Sequence, residues 1–327
     1  MNIIDNIKWE FNAIGTILSG PIVEKNILLF GIWDKFLYAV DIDTGKELWK
    51  FETDGTEVKN IVEKNGVVFC SSLDSNLYAI NLKTGKELWR FNASWRISSI
   101  PSIENGIVYV GTDDGYLYGI NIQSGKSIWE YNSFKSISSA IISNNLLFYW
   151  SSGNVSNETI RSTGSDQNYL RILDIKTNKI IKEFRNDYLV KLSKLKDNIY
   201  FGTEETFYSI NTKLRKIEWS TNLKSVRCSP LFIEDKIYIA SENYICYLDI
   251  KSGEKQIVLQ TDDQPQFIQI FNNLLFYIAS GKVIEYDLTK KVKINEYKSN
   301  HTFNLNLALS NNTLFYADKN ILNCKKY

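Results

Sequence analysis

Tryptophan recurs every forty residues in the first two-fifths of this chain, at Trp9, Trp49, Trp89 and Trp129. Each stands in the same phrase, fullest in AVDIDTGKELWKF (39–51), AINLKTGKELWRF (79–91) and GINIQSGKSIWEY (119–131). A fixed period of this size marks a supersecondary unit that cannot bury its apolar face alone, so neighbouring copies must stack. Any fold proposed for the chain has to be an array.

The third copy shows what the unit contains. It divides into SSIPSIE, GIVYVGT, GYLYGINI and KSIWEYN, separated by ENG, DDG and QSG. The separators carry turn chemistry. The pieces alternate large apolar with small or polar residues, which is strand periodicity, and helical spacing is nowhere strong. Four short strands in forty residues describe one blade of a propeller.

The rhythm continues to the end of the chain. Blade 1 is expected over about 17–52, blade 2 to near Ala93 and blade 3 to near Ser133. Blade 5 keeps Trp219 at the repeat position, whereas Lys182, Ile257 and Asn295 replace the tryptophan in blades 4, 6 and 7. The C-terminus offers three strands, FNLNLALS, TLFYADK and ILNCKKY, and the N-terminal NIKWEFN reads as a fourth. The expectation is therefore an all-β, eight-bladed β-propeller of four-stranded antiparallel blades in one domain, 1–327. Blade 8 is shared between about 1–14 and about 301–327. That closure protects edges and ties down both termini.

Individual residues support the scheme. Gly45, Gly85 and Gly125 close tight turns between third and fourth strands, where a positive φ favours glycine. The tryptophan four residues later is placed to wedge against the next blade. Asp41, Asn81 and Asn121 stand where a side-chain oxygen can hold the turn backbone. Pro21, Pro101 and Pro230 recur near the start of first strands, whose free edge tolerates a missing N–H.

Composition removes several function classes. Charge is balanced at 38 Lys+Arg against 37 Asp+Glu, and the lysines recur in the TGK turns, so no basic stripe for nucleic acid is expected. No apolar run reaches the length of a membrane span. MNIIDNIKWEF has no basic segment leading into an apolar one, so a cytoplasmic location is expected, or a periplasmic one if an export segment was removed. The four cysteines, Cys70, Cys228, Cys246 and Cys324, share no metal-ligand spacing and read as buried free thiols. His301 is the single histidine, so neither a multi-histidine metal site nor a G-x-S-x-G hydrolase is available. GINIQSGKS imitates a phosphate-binding loop, but five residues rather than four separate its glycines, and strands flank it.

The phrase AxDxxTGKxxW, carried by Ala39, Asp41, Thr44, Gly45, Lys46 and Trp49, together with GTDDGYLYGI (111–120), resembles the tryptophan-docking repeat of PQQ-like β-propellers. The resemblance is strongest over blades 1 to 3. It implies the eight-bladed fold and divides on function, between quinoprotein dehydrogenases and BamB-like scaffolds without enzymatic activity. The enzymes are about twice this length, hold calcium beside a catalytic aspartate, and often carry adjoining cysteines. Here no two cysteines adjoin, and Asp113–Asp114 and Asp262–Asp263 are the nearest acidic pairs. The expectation is a protein without catalytic residues, cofactor or metal, closest to the BamB-like members.

Binding of another protein is then the expected role, by a monomer. Alternatives are an immunity- or antitoxin-like protein capping an effector enzyme, a sensor with a small ligand in the central funnel, and a degenerate quinoprotein dehydrogenase. The longest departure from the repeat is polar, Ser151 to Asn168, between the second and third strands of blade 4. Loops expected at the same end carry Trp33, Trp95, Arg96, Phe134, Arg161, Arg185, Tyr188 and Phe267. Exposed Trp, Tyr and Arg are the residue types that anchor interfaces. These eight form the expected partner surface, with Trp9, Trp49, Trp89, Trp129 and Trp219 as structural docking residues.

Overall fold

A computed structural model describes residues 7–152, 168–185, 191–226, 228–265, 267–280, 282–298, 307–310, 313–318 and 320–326. All regular structure among them is β, in eight four-stranded sheets. Blade 1 comprises Ile17–Glu24, Ile27–Ile32, Phe36–Asp41 and Glu47–Glu52, in that order across the sheet. Blades 2 to 7 repeat the order over 58–92, 102–132, 137–185, 193–222, 231–260 and 267–298. Blade 8 takes Leu307–Ser310, Thr313–Asp318 and Ile321–Lys326 from the C-terminus. Its fourth strand is Ile7–Asn12, antiparallel to Ile321–Lys326 with Trp9 opposite Cys324. The all-β, eight-bladed class and the closing role of the N-terminal strand are those the repeat predicts.

The chain divides into two compact units. Unit 1 takes Met1–Pro101, Ile120–Ile128 and Tyr297–Tyr327, and unit 2 takes Ser102–Gly119 and Trp129–Glu296.

In unit 1 the second strand of blade 1, ILLFGI, is apolar almost throughout because both faces of its sheet are covered. Leu28 and Phe30 pack with Phe315, Leu322 and Cys324 of blade 8. Leu29, one residue out of phase, packs with Val68, Tyr78 and Ile80 of blade 2. Alternate residues of a strand point to opposite faces, so a sheet buried on both sides needs a continuous apolar run. Unit 2 repeats the arrangement. Leu147 and Tyr149 of blade 4 pack with Tyr109 and Leu117 of blade 3. Leu146, Phe148 and Trp150 pack with Ile199 and Phe201 of blade 5.

The tryptophans lock consecutive blades. Trp9 donates its indole N–H to the Ile42 carbonyl at 3.1 Å, Trp49 to Leu82 at 2.9 Å, Trp89 to Ile122 at 2.9 Å and Trp219 to Ile250 at 3.1 Å. Each ring lies on the turn of the following blade. A Cβ on Gly45 would stand 2.5 Å from the Trp9 ring, and one on Gly85 or Gly125 would stand 2.7 Å from Trp49 or Trp89. These glycines also hold φ of 70°, 67° and 69°. Asp41 Oδ1 accepts the Thr44 amide at 2.8 Å and the Thr44 hydroxyl at 2.7 Å, which fixes the turn as expected.

The degenerate blades lose the two partners together. Lys182 replaces the tryptophan of blade 4, and Arg215, at φ 53°, replaces the glycine of blade 5. There an ion pair substitutes, Arg215 Nη1 to Asp174 Oδ2 at 2.7 Å. Ile257 replaces the tryptophan of blade 6, and Lys291, at φ 57°, replaces the glycine of blade 7. At the junction of blades 3 and 4 only half the couple changes. Trp129 stays, Asn178 takes the glycine position at φ 53°, and the Asn178 side-chain oxygen accepts the indole N–H at 3.0 Å.

Just before the tryptophan the outer strand carries a bulge. Ala39 faces Trp49 while Val40 faces Glu47, leaving Leu48 extra, and Leu88 repeats this in blade 2. A bulge on an outermost strand spoils the free edge as a template for pairing. Pro101 and Pro230 lie just before Ser102–Glu104 and Leu231–Ile233. Pro21 sits inside Ile17–Glu24, where a register shift between Ser19 and Ile22 removes the need for its N–H. Cys70, Cys228, Cys246 and Cys324 are buried free thiols.

Candidate partner-binding surface

Loops that precede a first strand and loops that join second to third strands leave a sheet at the same end, because successive strands reverse direction. In unit 1 these loops pack on one another. Trp33 donates its backbone N–H to the Thr16 carbonyl at 2.7 Å. A Cβ on Gly15 would stand 2.6 Å from the Trp33 carbonyl oxygen, so glycine is what permits the approach. Forty residues on, Gly55 N–H binds Asp74 Oδ2 at 2.9 Å.

Polar side chains hold this loop layer. Asp74 also accepts the Tyr78 hydroxyl at 2.7 Å and the Asn76 amide at 2.8 Å. Burial, with Asp74 as acceptor, pushes the Tyr78 hydroxyl pKa well above its ordinary range. The Thr53 hydroxyl donates to the Lys35 carbonyl at 2.9 Å. Arg90 lies over the Tyr78 ring at 5.0 Å and pairs with Glu87 and Asp54 at 2.8 and 2.6 Å.

On that frame the apolar groups point outward. Trp33 is 58 % exposed and Trp95 47 %. Ile14, Leu73 and Ile100 are exposed on loops at the same end of their sheets, and Arg96 is exposed beside Trp95. Trp33 and Leu73 occupy the same place in successive blades, so the frame is constant while the displayed residue varies. The sequence reading missed Ile14, Leu73 and Ile100. Their signal was available as large aliphatic residues inside turns, where polar residues are the rule.

In unit 2, Phe134 is 63 % exposed at φ 57°, its amide bound to Asn132 Oδ1 at 2.7 Å. Arg185 is exposed at the end of Lys179–Arg185, and Phe267 is half-buried at the start of Phe267–Phe271. Arg161, Tyr188, His301 and all but the ends of the 151–168 insertion lie outside the described residues. The expected surface residues thus fall into a set on unit 1, led by Trp33 and Trp95, and a separate set on unit 2.

Of the two acidic pairs, Asp114 Oδ1 accepts the Thr112 hydroxyl and Asp263 Oδ2 accepts the Ser280 hydroxyl. Among the described residues no three His, Cys, Asp or Glu side chains are grouped to hold a metal ion. Among the described residues no helix is long and apolar enough to cross a membrane.

The family model described as outer membrane protein assembly factor BamB matches residues 34–256. No curated protein matches the chain. Among solved structures, the computationally designed Ika8 protein is similar with a TM-score of 0.75 at 14% identity, covering 98% of this chain and 100% of that one. BamB from Moraxella catarrhalis is similar with a TM-score of 0.60 at 16% identity, covering 83% of this chain and 85% of that one. At such identities the likeness speaks for the fold.

Proposed function

Since this chain belongs to the outer membrane protein assembly factor BamB family, we propose that it is a non-enzymatic scaffold that binds another protein through the loop end of unit 1. Trp33 and Trp95 are the anchors, and Arg96 is the charged neighbour. The observation that carries this reading is the exposure of large apolar side chains on loops already fixed by hydrogen bonds, Trp33 at 58 % and Trp95 at 47 %. Exposed tryptophan on a rigid frame loses little conformational freedom on docking, so its buried area converts efficiently into affinity. We further propose a reducing compartment, supported by four unpaired cysteines; cell fractionation checks it.

The test is capture of partners from the native cell by the wild-type chain and by a Trp33→Ser, Trp95→Ser variant of equal thermal stability. A stoichiometric partner held by the first and lost by the second supports the reading. A partner held equally by both overturns the assignment to unit 1.

A further inference from the structure

Blade 5 departs from the repeat at three neighbouring positions on its blade 6 side. The second strand opens with Ile27, Val67, Ile107, Leu146 and Leu274 in blades 1, 2, 3, 4 and 7, but with Asn198 in blade 5, Lys236 in blade 6 and Thr313 in blade 8. The third strand has Ala39 and Ala79 opposite the tryptophan in blades 1 and 2, but Ser209 opposite Trp219 in blade 5. The bulged residue just before the tryptophan position is Leu48, Leu88 and Ile181 in blades 1, 2 and 4, but Glu218 in blade 5.

The three polar residues form one network. Asn198 Nδ2 donates to Ser209 Oγ at 3.1 Å and to Glu218 Oε2 at 2.7 Å, while Asn211 Nδ2 donates to Glu218 Oε1 at 3.1 Å. The hydroxyl of Tyr200, a residue only 2 % exposed, interacts with Ser209 and Asn198. Both Glu218 oxygens are therefore aimed by neutral amides. Among the described residues no ammonium or guanidinium stands within ion-pair distance of that carboxylate. An exposed carboxylate held in this orientation can accept charge-assisted hydrogen bonds from a cation.

The network lines an open groove of about 850 Å³ between blades 5 and 6, with Asn198, Tyr200 and Glu218 on one wall and Ile250 on the other. Lys196, Lys216 and Lys251 also line it, together with Glu234 and Asp235, and none of the three lysines is in an ion pair among the described residues. Cationic and anionic receptors thus face one groove large enough for a small molecule.

We propose that this groove binds a small zwitterion of amino-acid type, its ammonium on Glu218 and its carboxylate among the three lysines. The site is built from residues of unit 2 and shares none with the surface proposed on unit 1. The test is titration of the isotope-labelled full chain, followed by amide NMR, with glycine, triglycine, N-acetylglycine and glycinamide. Saturable shifts confined to blades 5 and 6 are expected for glycine or triglycine, with a Kd on the order of 1 mM. A response to glycine alone assigns a free amino acid, and a response to triglycine alone assigns a peptide. N-acetylglycine and glycinamide, each lacking one charge, are expected to bind at least about tenfold more weakly. The double variant Asn198→Val, Glu218→Leu restores the residues of blade 2 and is expected to keep the fold and lose binding. No saturable shift with glycine or triglycine, or equal binding by a folded double variant, overturns the proposal. Partner capture through Trp33 and Trp95 is unaffected by either result, so the two assignments fail separately.

Discussion

Trp49 and Gly85 form one joint: the indole donates to the Leu82 carbonyl at 2.9 Å, and its ring fills the space a Gly85 side chain would need. Gly85→Ala meets two penalties, a Cβ placed 2.7 Å from the ring and a left-handed φ of 67°. The left-handed backbone alone costs an alanine about 1–2 kcal/mol. Trp49→Ala removes a buried side chain, and about 3–5 kcal/mol of stability is expected to go with it. In chemical denaturation the double variant is expected to lose less than the sum of the two, because once the ring is gone the new methyl has room.

Lys291 and Arg215 hold the same backbone conformation without glycine, and their replacement by glycine is expected to diverge. Lys291→Gly relieves a left-handed residue and makes the chain more stable by up to about 1 kcal/mol, part of the gain being offset by a freer unfolded chain. Arg215→Gly relieves the same strain but breaks the 2.7 Å pair with Asp174, whose side chain is 7 % exposed. Net destabilisation is expected, as an uncompensated carboxylate stays in place. Equal shifts in melting temperature for the two variants would contradict this account.

The forty-residue period made most of this architecture readable, and it did so through residues whose constraint is local. Trp9 announced itself as a fourth strand because KWEFN repeats LWRFN, and Gly45 because a tight turn needs its φ. The joints at Lys182 and Ile257 read only as decay, because the matching changes lie in the next blade, at Arg215 and Lys291. The surface was half legible. Trp33 and Trp95 stand out as tryptophans off the repeat, whereas Ile14 and Ile100 pass for ordinary apolar residues until their exposure is measured. Asn198, Ser209 and Glu218 are scattered in the sequence, and only pairing across strands makes them one group.

The turn carboxylates give stability a defined pH dependence. Hydrogen bonding from the Thr44 hydroxyl and from backbone amides holds the Asp41 pKa below its ordinary value, and the Ser252 amide does the same for Asp249. A depressed folded-state pKa contributes stability that is present above the unfolded value and lost as pH falls through the folded one. Melting temperature is therefore expected to fall from about pH 5 downward, through the carboxylate range. Asp41→Asn is expected to flatten that fall, since Asn81 and Asn121 hold the same turn without titrating.

The cysteines are expected to be silent in the native state. Burial pushes the Cys228 and Cys324 thiols up to about 11 and Cys246 to about 12, and raises Cys70 as well. The thiolate is the reactive form, so a thiol reagent at pH 8 is expected to label none of the four before unfolding and all four in denaturant. Rapid labelling of one cysteine in the folded chain would contradict its burial.

Trp33→Ser is expected to change the melting temperature by less than about 2 °C, because an exposed side chain contributes little to the fold. The same substitution at Trp219, removing a buried ring worth about 3–5 kcal/mol, is expected to lower the transition by roughly 4–8 °C. Differential scanning calorimetry of the two variants separates display from docking.

Blade 8 imposes a waiting time on biosynthesis. Asn320 bonds Ala13 across 307 residues of sequence, so Ile7–Asn12 cannot pair until Ile321–Lys326 has been made. At about 5–20 residues per second, translation leaves Ile7–Asn12 without its partner for roughly 15–60 s. Throughout that interval the nascent chain exposes an unpaired strand to every other polypeptide nearby, and a chaperone that shields Ile7–Asn12 would be most useful then.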